Sequence, residues 1–316
     1  MSEIGRDIDI AVLIPCFNEE AAVAHVVEAF RRSLPSARIH VFDNGSADRT
    51  AEVARQAGAM VSRVTARGKG NVVRRMFADV EADLYVLVDG DDTYDAGRVG
   101  AMIDLLLANK LDMVVGTRVS GEQASYRPGH RFGNALLTGM VSVIFGRAFT
   151  DILSGYRVFS RRFVKSFPAI SGGFEIETEL SVHALQLMMP CGEMQTTYRA
   201  RKEGSVSKLS TFGDGRRILG VILQLLRLEL PLRFFLGIAA ILALVSIGIF
   251  IPVLMAYLET GLVERLPTAL LSTGLMILAA LSAMCGIILD NVTRGRRETR
   301  HLFYLTQPPP GQSRNR

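Results

Sequence analysis

Two long uncharged segments near the C-terminus constrain the fold of this 316-residue chain more than any other feature of its sequence. Phe234–Leu258 contains 25 consecutive residues without a charge, and Leu266–Leu289 contains 24. About 20 apolar residues are enough for a helix to span the hydrocarbon core of a bilayer. Because only seven residues separate the segments, the sequence predicts a transmembrane hairpin. A buried helix pair in a soluble core is the alternative, although soluble helices rarely run this long without a charge.

The distribution of charge explains the net charge of +5 and predicts the orientation of the hairpin. Residues 1–198 carry a net charge of −3 and the hairpin carries −1, whereas residues 199–233 carry +5 and residues 290–316 carry +4. By the positive-inside rule, both flanks of the hairpin and both termini are expected to be cytoplasmic. Basic flanks suit anionic lipid headgroups, so the isoelectric point near 9.3 does not indicate nucleic-acid binding.

The N-terminal segment and the cysteines favour a reducing compartment. The first ten residues contain several charges and lack the apolar core of a signal peptide. Cys16, Cys191 and Cys285 are far apart in the sequence, which argues against a disulfide framework. We therefore expect a multi-pass protein of the inner or plasma membrane, with two transmembrane helices and a cytoplasmic body.

The body alternates predicted strands with predicted helices, an order that implies a mostly parallel α/β sheet covered on both faces. Short apolar runs predict strands at Ile10–Ile14, Ile39–Phe42, Leu84–Val88 and Met113–Gly116. Helical spacing predicts helices over Glu20–Leu34, Ala47–Ala57 and Gly97–Ala108. The predicted organisation is a body at 1–210, an amphipathic juxtamembrane helix at 211–233, the hairpin at 234–289 and a basic, partly disordered tail at 290–316.

Polar residues of the body collect where the predicted strands end. Asn18 and Glu19 follow the first strand, Asp43 ends the second, and Asp89 and Asp91 follow the third. Because open α/β sheets bind ligands beyond the carboxyl ends of their strands, these residues predict a binding site. The first strand is not followed by G-x-G-x-x-G, and the Gly-Lys-Gly of residues 68–70 lacks P-loop spacing. Neither a hydride-transfer Rossmann enzyme nor a P-loop protein is therefore expected.

The Asp89-Gly90-Asp91 sequence predicts a divalent-cation site. Mg²⁺ and Mn²⁺ take oxygen ligands, often one or two carboxylates together with phosphate oxygens of a substrate. A cation there would neutralise a diphosphate leaving group. A solvated acidic turn is the alternative. Asp43 has two interpretations as well. Its carboxylate can accept a hydrogen bond from a nucleobase, or it can form an Asx-turn or helix cap with Asn44 and Ser46.

Four motifs occur in order at the predicted strand ends, and together they resemble the family 2 glycosyltransferases with a GT-A fold. These motifs are Pro15-Cys16-Phe17-Asn18-Glu19, Asp43-Asn44-Gly45-Ser46-x-Asp48-x-Thr50, Gly68-Lys69-Gly70 and Asp89-Gly90-Asp91. Later segments look like the branch of dolichol-phosphate mannosyltransferases and bactoprenol glucosyltransferases. These are Asn134…Gly146…Asp151-x-x-Ser154-Gly155-Tyr156-Arg157 and Arg201…Gly204…Ser207-Lys208-Leu209. The resemblance covers about residues 10–290.

The resemblance implies a Rossmann-like nucleotide-diphospho-sugar transferase fold, followed by an interface helix and the hairpin. It also implies Mg²⁺ or Mn²⁺ as the cofactor, held by Asp89 and Asp91 together with the donor diphosphate. The other residues that it assigns to the donor site are Pro15, Phe17, Asn18, Glu19, Asp43, Lys69 and Gly90. In this assignment Asp43 contacts the base, and Lys69 supports the diphosphate.

Three positions depart from the usual motifs of this family. Phe17 stands where a Tyr is usual, Asn44 where a second Asp is usual, and Thr93 where the mannosyl branch often has Gln. The first change removes a phenolic hydroxyl and the second removes a charge. The choice between a UDP-sugar and a GDP-sugar therefore stays open.

A cluster of basic residues is expected to bind an acceptor phosphate near the membrane surface. Arg suits bidentate phosphate binding, and Lys acts as a point charge. The resembling segments assign this role to Arg118, Arg131, Arg201 and Lys208, each of which taken alone would more often be a solvated surface residue. Asp151 and Glu177 also lie in these segments. Either carboxylate would orient the acceptor or Arg157, or would only cap a helix.

The segment Phe212–Leu232 predicts an amphipathic helix at the bilayer surface, with an apolar stripe and arginines on its other positions. The alternative is an ordinary helix that packs on the body or on another subunit. Small residues of the hairpin, among them Gly248, Ala279 and Gly286, suit close helix packing and make a homo-oligomer the expected assembly.

The sequence thus predicts an inverting glycosyltransferase that takes part in cell-envelope glycan biosynthesis. It would move one sugar from a UDP- or GDP-hexose to undecaprenyl or dolichyl phosphate on the cytoplasmic membrane face. Transfer to a neutral lipid such as diacylglycerol is a second reading, which would need a base to activate a hydroxyl acceptor. A non-catalytic membrane subunit that binds nucleotide-sugar is a third. The expected partners are the donor, the acceptor and membrane lipids.

Overall fold

The structure is a computed structural model in which the chain divides into two compact units, Met1–Gly215 with Arg300–Arg316, and Arg216–Thr299. The residues that it describes are 8–120, 138–139, 141–142, 144–145, 149–169, 176–199, 220, 223 and 226–311. Three predicted acceptor cations, Arg131, Arg201 and Lys208, lie outside this range, as does most of the predicted helix Phe212–Leu232.

A seven-stranded sheet forms the centre of the first unit and confirms the predicted mostly parallel α/β fold. Its strands are β1 Ile10–Cys16, β2 Arg38–Asp43, β3 Met60–Arg63, β4 Leu84–Leu87, β5 Met113–Ser120, β6 Arg157–Ser160 and β7 Cys191–Tyr198. They lie in the order β3-β2-β1-β4-β6-β5-β7. Strand β6 runs antiparallel to both of its neighbours, and every other neighbouring pair is parallel. The carboxyl ends of β1, β2, β4 and β5 therefore meet at one edge, together with the start of β6.

Strand β1 continues past Pro15, where the sequence predicted its end. The pairing of β1 with β4 stops at Leu13, whose carbonyl accepts the Val88 N–H, and alternate residues face the same neighbour. Pro15 therefore faces the side on which β4 has already ended, so its missing N–H breaks no ladder bond. On the other side β1 stays paired with β2 as far as Cys16.

The described helices of the first unit are α1 Val23–Ser33, α2 Thr50–Gln56, α3 Lys69–Asp79, α4 Val99–Ala108, α5 Arg161–Ser166 and α6 Ile176–Gln186. Helix α1 buries Val23, Val26, Val27 and Phe30, which recur at helical spacing. It begins later than the sequence predicted, because Asn18 takes a left-handed φ of 54° and the next two backbone N–H groups bond to the side chains of Thr50 and Asp48.

The second unit contains the helical pair that the sequence predicted. Helix α7, Pro231–Thr260, begins with Pro at a first-turn position and ends at Gly261, whose φ of 70° is a left-handed cap. Helix α8, Leu266–Leu305, continues well past Leu289, the predicted end of the second span. Both helices are long and apolar enough to cross a membrane, with mean hydropathies of 2.8 and 2.1 over an 18-residue stretch of each.

Helices α7 and α8 pack as an antiparallel hairpin through small and hydroxylated residues. Ser246 donates a hydrogen bond to the Ser272 carbonyl (2.7 Å), and Ser282 donates one to the Phe235 carbonyl (3.1 Å). A Cβ at Gly286 would lie 3.0 Å from the Phe235 Cβ, so the helices approach closely there. Gly286 therefore contributes to packing within the chain, and homo-oligomer formation stays a prediction.

Candidate active site

Two strand-end loops are joined through Asn18 and its neighbours. The Asn18 N–H donates to Ser46 Oγ (2.9 Å), and its side-chain oxygen accepts the Ala47 N–H (2.8 Å). The Glu19 N–H donates to Thr50 Oγ1 (2.9 Å). These bonds hold the residues after β1 against those after β2, so the first two predicted motifs form one surface at the carboxyl edge of the sheet.

Asp43 ends β2 as a buried side chain, and its carboxylate accepts the Ser46 N–H (3.2 and 3.3 Å to its two oxygens). This is a local turn, closed by the carboxylate at the residue three positions on, of the kind that the sequence left open as an alternative. A contact between Asp43 and a nucleobase stays a prediction. The base would have to share the carboxylate with the Ser46 N–H.

The hydrogen bonds of Asn44 explain why this chain has an amide where the glycosyltransferases that it resembles usually have a second Asp. Its Nδ2 donates to the carbonyls of Val64 (3.1 Å) and Ala66 (2.8 Å), and its Oδ1 accepts the Gly68 N–H (2.7 Å). A carboxylate cannot donate to two carbonyls. The amide therefore holds the segment 64–68, which leads directly into Lys69 at the start of α3.

Asn44→Asp is expected to destabilise the protein by about 1–3 kcal/mol, because two carbonyls, that of Val64 buried, would lose their donor and face a negative charge. Thermal unfolding of the purified protein measures this effect as a lower midpoint. Asn71→Asp is the matched control, since Asn71 makes an exposed hydrogen bond to the Arg67 carbonyl (2.9 Å). Equal midpoints for the two variants would contradict the role assigned to Asn44.

Asp89 and Asp91, in the acidic turn after β4, differ in their exposure and in their partners. Asp91 is only 4% exposed and accepts hydrogen bonds from Thr93 Oγ1 (2.7 Å) and Thr93 N (3.4 Å). The Asp89 side chain is 28% exposed and pairs with Lys69. Gly90 lies between them, where a Cβ would be 2.5 Å from Cys16 Sγ, so only glycine fits this close approach to β1.

Four predicted donor-site carboxylates act together on one buried thiol. Burial raises the pKa of Cys16 well above its usual value, and the charges of Glu19, Asp43, Asp89 and Asp91 raise it further. The charges of carboxylates from three strand ends therefore act together on Cys16. Such a site favours a bound cation.

Lys69 lies between two carboxylates from distant parts of the chain. Its ammonium pairs with Asp89 and with Glu177 in the first turn of α6 (2.5 Å to Glu177 Oε1). Burial alone would lower the pKa of Lys69, but the charges of Asp89 and Glu177 outweigh it and hold that pKa above its usual value. The sequence placed Lys69 in the donor site but did not predict its pairing with Glu177.

The segment before β6 supports Asp89 from the other side. Ser154 Oγ donates to the Gly116 carbonyl (2.5 Å), and the Gly155 N–H donates to the Tyr94 hydroxyl (2.9 Å). A Cβ at Gly155 would collide with the carboxylate of Asp89. Only a residue without a side chain lets this segment lie directly against Asp89, a role that the sequence analysis did not identify.

Arg157 organises this region from a fully buried position. Its guanidinium donates to the carbonyls of Ile152 (2.5 Å), Ser154 (2.9 Å) and Glu177 (3.0 Å), and to Ser181 Oγ (3.0 Å). Burial lowers the pKa of Arg157 to about 10. Arg157 therefore holds the loop before β6 and the first turn of α6 in one arrangement.

Arg118, the predicted acceptor cation that the structure describes, forms a two-point ion pair with Asp151. Its Nε and one terminal nitrogen lie 2.7 Å from the two carboxylate oxygens. Burial alone would raise the pKa of Asp151, but the hydrogen bonds and charge of Arg118 lower it below its usual value. The guanidinium also lies over the Tyr198 ring at 5.6 Å. The sequence offered the acceptor, Arg157 or a helix cap for Asp151, and in the structure Arg118 is a close partner.

The carboxylates at the end of β4 fit a hard divalent cation by their donor chemistry. Asp89 and Asp91 offer only oxygen atoms, the ligand type that Mg²⁺ and Mn²⁺ prefer. Among the residues that the structure describes, no three His, Cys, Asp or Glu side chains group closely enough to hold a metal ion by themselves. A cation bound by two carboxylates and completed by phosphate oxygens is consistent with this set.

Comparison with curated proteins and solved structures relates the chain to sugar-transferring enzymes. The "Glycosyl transferase family 2" profile matches residues 11–167. The chain is 34% identical over 232 residues to glycosyltransferase AglJ of Haloferax volcanii, covering 72% of this chain and 75% of that protein. It is 27% identical over 218 residues to the dolichyl-phosphate hexose transferase of the same organism, covering 69% and 93%.

A solved structure shares the fold of the chain. Glucosyl-3-phosphoglycerate synthase from Mycobacterium tuberculosis, in complex with Mn²⁺, uridine-diphosphate and phosphoglyceric acid, superposes with a TM-score of 0.58 at 21% identity. The match covers 71% of this chain and 79% of that chain. With the family profile and the AglJ relationship, the sheet order and strand-end motifs lead to one conclusion: the chain belongs to the family 2 glycosyltransferases and has a GT-A fold.

Proposed function

We propose that this enzyme transfers one hexose from a UDP- or GDP-sugar to a polyprenyl phosphate, with inversion at the anomeric carbon. The observation that carries the proposal is the meeting of two charged groups at one sheet edge. The acidic pair Asp89 and Asp91 follows β4, and the Arg118–Asp151 pair has its arginine near the carboxyl end of β5. The relative named dolichyl-phosphate hexose transferase supports an acceptor of this class.

The donor half of the proposed site lies at the ends of β1, β2 and β4. Asp89 and Asp91 would hold Mg²⁺ or Mn²⁺, which when bound neutralises the charge that develops on the leaving diphosphate. Lys69 would contribute a second positive charge beside the same phosphates. The nucleotide would be framed by Pro15, Phe17, Asn18, Glu19, Asp43 and Gly90. The Arg67 guanidinium lies over the Phe17 ring at 5.4 Å.

The acceptor half needs positioning more than activation. A phosphate monoester has a second pKa near 6 and is therefore largely dianionic at neutral pH, so its oxygen is already a nucleophile. Arg118, held by Asp151, would orient that phosphate toward the sugar, with Arg131, Arg201 and Lys208 as further cations. Catalysis would then rest on alignment and on stabilising the transferred charge.

The membrane-facing part of the proposal uses the hairpin of α7 and α8. A polyprenyl chain stays in the bilayer, so the enzyme must act at its surface, and the basic stretches 199–233 and 290–316 suit anionic headgroups there. We propose that the body at 1–210 and both termini are cytoplasmic, with 211–233 as an interface helix. The tail at 290–316 and a homo-oligomeric assembly belong to the same proposal.

Transfer by the purified full chain is expected with undecaprenyl phosphate and not with undecaprenol or diacylglycerol. The physical reason is that the hydroxyl acceptors need a base and offer no anion to the arginines. Labelled UDP- and GDP-hexoses with Mg²⁺ or Mn²⁺ provide the assay, and the lipid product is separated and counted. Equal transfer to a neutral lipid would overturn the phosphate acceptor. Binding of a nucleotide-sugar without turnover on any lipid phosphate would indicate a non-catalytic subunit.

A further inference from the structure

Glu177 has no role in the proposed transfer, yet it forms one of the most buried ion pairs that the structure describes. The side chains of Lys69 and Glu177 are only 11% and 8% exposed. The same ammonium pairs with Asp89, which the proposed function assigns to the divalent cation. One positive charge is therefore shared between a proposed cation ligand and a carboxylate that lies 108 residues away in the sequence.

Lys69 creates an electrostatic problem for cation binding at Asp89. A lysine that pairs with Asp89 alone would leave the two groups with no net charge. It would also place an ammonium beside the position of a divalent cation. Charge interactions are strong at sites shielded from water, so this repulsion would weaken binding of the cation. With Glu177 included, the three side chains sum to −1.

Glu177 is fixed in place by contacts that do not involve Lys69. It lies in the first turn of α6, where the helix dipole favours a carboxylate. Its backbone carbonyl accepts hydrogen bonds from Arg157 (3.0 Å) and Ser181 Oγ (3.1 Å). Because the backbone of Glu177 is held in this way, its carboxylate provides a fixed negative charge toward which Lys69 extends.

We propose that Glu177 is a positioning residue that offsets the charge of Lys69, so that Asp89 and Asp91 keep the negative charge that binds the divalent cation of the donor. The inference rests on the proposed function, because it takes Asp89 and Asp91 as the cation ligands. It adds that a carboxylate which never touches the cation sets its affinity. Lys69 can then serve the donor diphosphate without displacing the metal.

Binding of Mn²⁺ to the full chain, without donor or acceptor, tests this inference by electron paramagnetic resonance of the unbound ion. Asp91→Asn supplies the background from other acidic sites. Glu177→Gln is expected to raise the Kd for Mn²⁺ about 10- to 100-fold, the usual range for partners that orient metal ligands. Glu179→Gln removes the same charge two residues further along α6, on another side of the helix, and should change the Kd by less than about twofold.

A variant pair separates charge from scaffolding. Lys69→Met leaves both carboxylates without their shared cation and should bind Mn²⁺ about tenfold more tightly than the wild type. Combining Lys69→Met with Glu177→Gln returns the net charge of the three positions 69, 89 and 177 to −1. The double variant should therefore have a Kd within about threefold of the wild type. If Glu177→Gln does not fold, these two variants still decide the question.

Two outcomes would overturn the inference: an unchanged Kd in both single variants, or a combined variant that binds as weakly as Glu177→Gln. The first would mean that the three charges do not govern the cation, and the second that Glu177 is only a scaffold. Failure of the proposed function would be seen in a different measurement: the wild-type protein would transfer no sugar to undecaprenyl phosphate. That assay is run on the same preparations and does not depend on the Mn²⁺ titration.

Discussion

Asp91→Asn is expected to lower the rate of sugar transfer about a thousandfold or more. The substitution keeps the size of the side chain and an oxygen that can accept from Thr93 Oγ1, but it removes the negative charge. Loss of a cation ligand withdraws several kcal/mol of stabilisation from the departing diphosphate. The measurement is kcat/KM for the donor with saturating undecaprenyl phosphate, over a range of Mn²⁺ concentrations. Asp91→Ala should be at least as inactive.

The matched control is Asp95→Asn, in the same acidic segment. Asp95 lies in an exposed turn, where its side chain accepts the Gly97 N–H (3.0 Å), and an asparagine can accept the same bond. Its activity and its Mn²⁺ dependence should therefore stay within about twofold of the wild type, since exposed substitutions of this kind have small effects. Activity near the wild-type value in Asp91→Asn would remove Asp91 from the cation site.

Gly155→Ala is expected to lower kcat/KM about a hundredfold, although it adds only one methyl group. The new Cβ would occupy the space of the Asp89 carboxylate, so either that carboxylate or the segment before β6 has to move. A displacement of about 1 Å in a group that positions the reacting atoms can cost about this factor. The same kinetic assay measures the loss, and a parallel Mn²⁺ titration should show weaker binding.

Gly100→Ala provides the steric control for this prediction. A Cβ at Gly100, within α4, meets nothing within 4 Å, and alanine is the better helix former. Its activity should match that of the wild type and its unfolding midpoint should not fall. If Gly155→Ala retains full activity, the contact between Gly155 and Asp89 does not position the carboxylate.

Lys69 and Arg118, two described cations of the site, are both paired with carboxylates, and this common feature connects the predictions. Lys69 pairs with Asp89 and Glu177, and Arg118 pairs with Asp151. Unpaired charges are costly to bury, and carboxylate partners offset part of that cost while they hold each cation in one direction. A phosphate that arrives would then meet positive groups whose orientation is already set, which reduces the reorganisation needed during transfer.

Much of the fold was predictable because the buried residues of many strands and helices form recognisable patterns in the local sequence. Strands β1, β2, β4 and β5 are apolar runs in the middle of the chain's core, and α1 shows its buried face at helical spacing. Strand β3 was missed because it is a short edge strand with mostly exposed residues. Strand β7 was missed for a related reason, since Cys191–Tyr198 contains polar residues that alternate irregularly and only one of them is buried.

The site was predictable in part. Features that depend on local sequence could be predicted, and contacts between distant residues could not. The strand-end position of Asp89, Asp91 and Arg118 follows from the order of strands along the chain. The interpretation of Asn44 as a lost charge was incomplete, because the amide turns out to bind two carbonyls of the segment that leads to Lys69. The local turn at Asp43 was foreseen as an alternative, since it involves residues only three apart.

By itself the sequence determined two helices able to span a membrane, a mostly parallel α/β body and an acidic strand end with its family resemblance. These properties depend on composition, periodicity and the order of short motifs, which are local. Only the tertiary structure decided which charges meet. Lys69 and Glu177 are 108 residues apart, and Arg118 and Asp151 are 33 apart. The Arg118–Asp151 pair forms because β6 inserts antiparallel between β4 and β5, which brings the segment before β6 to the edge where the parallel strands end. Glu177 comes near the same edge because Arg157, the first residue of β6, donates a hydrogen bond to its carbonyl.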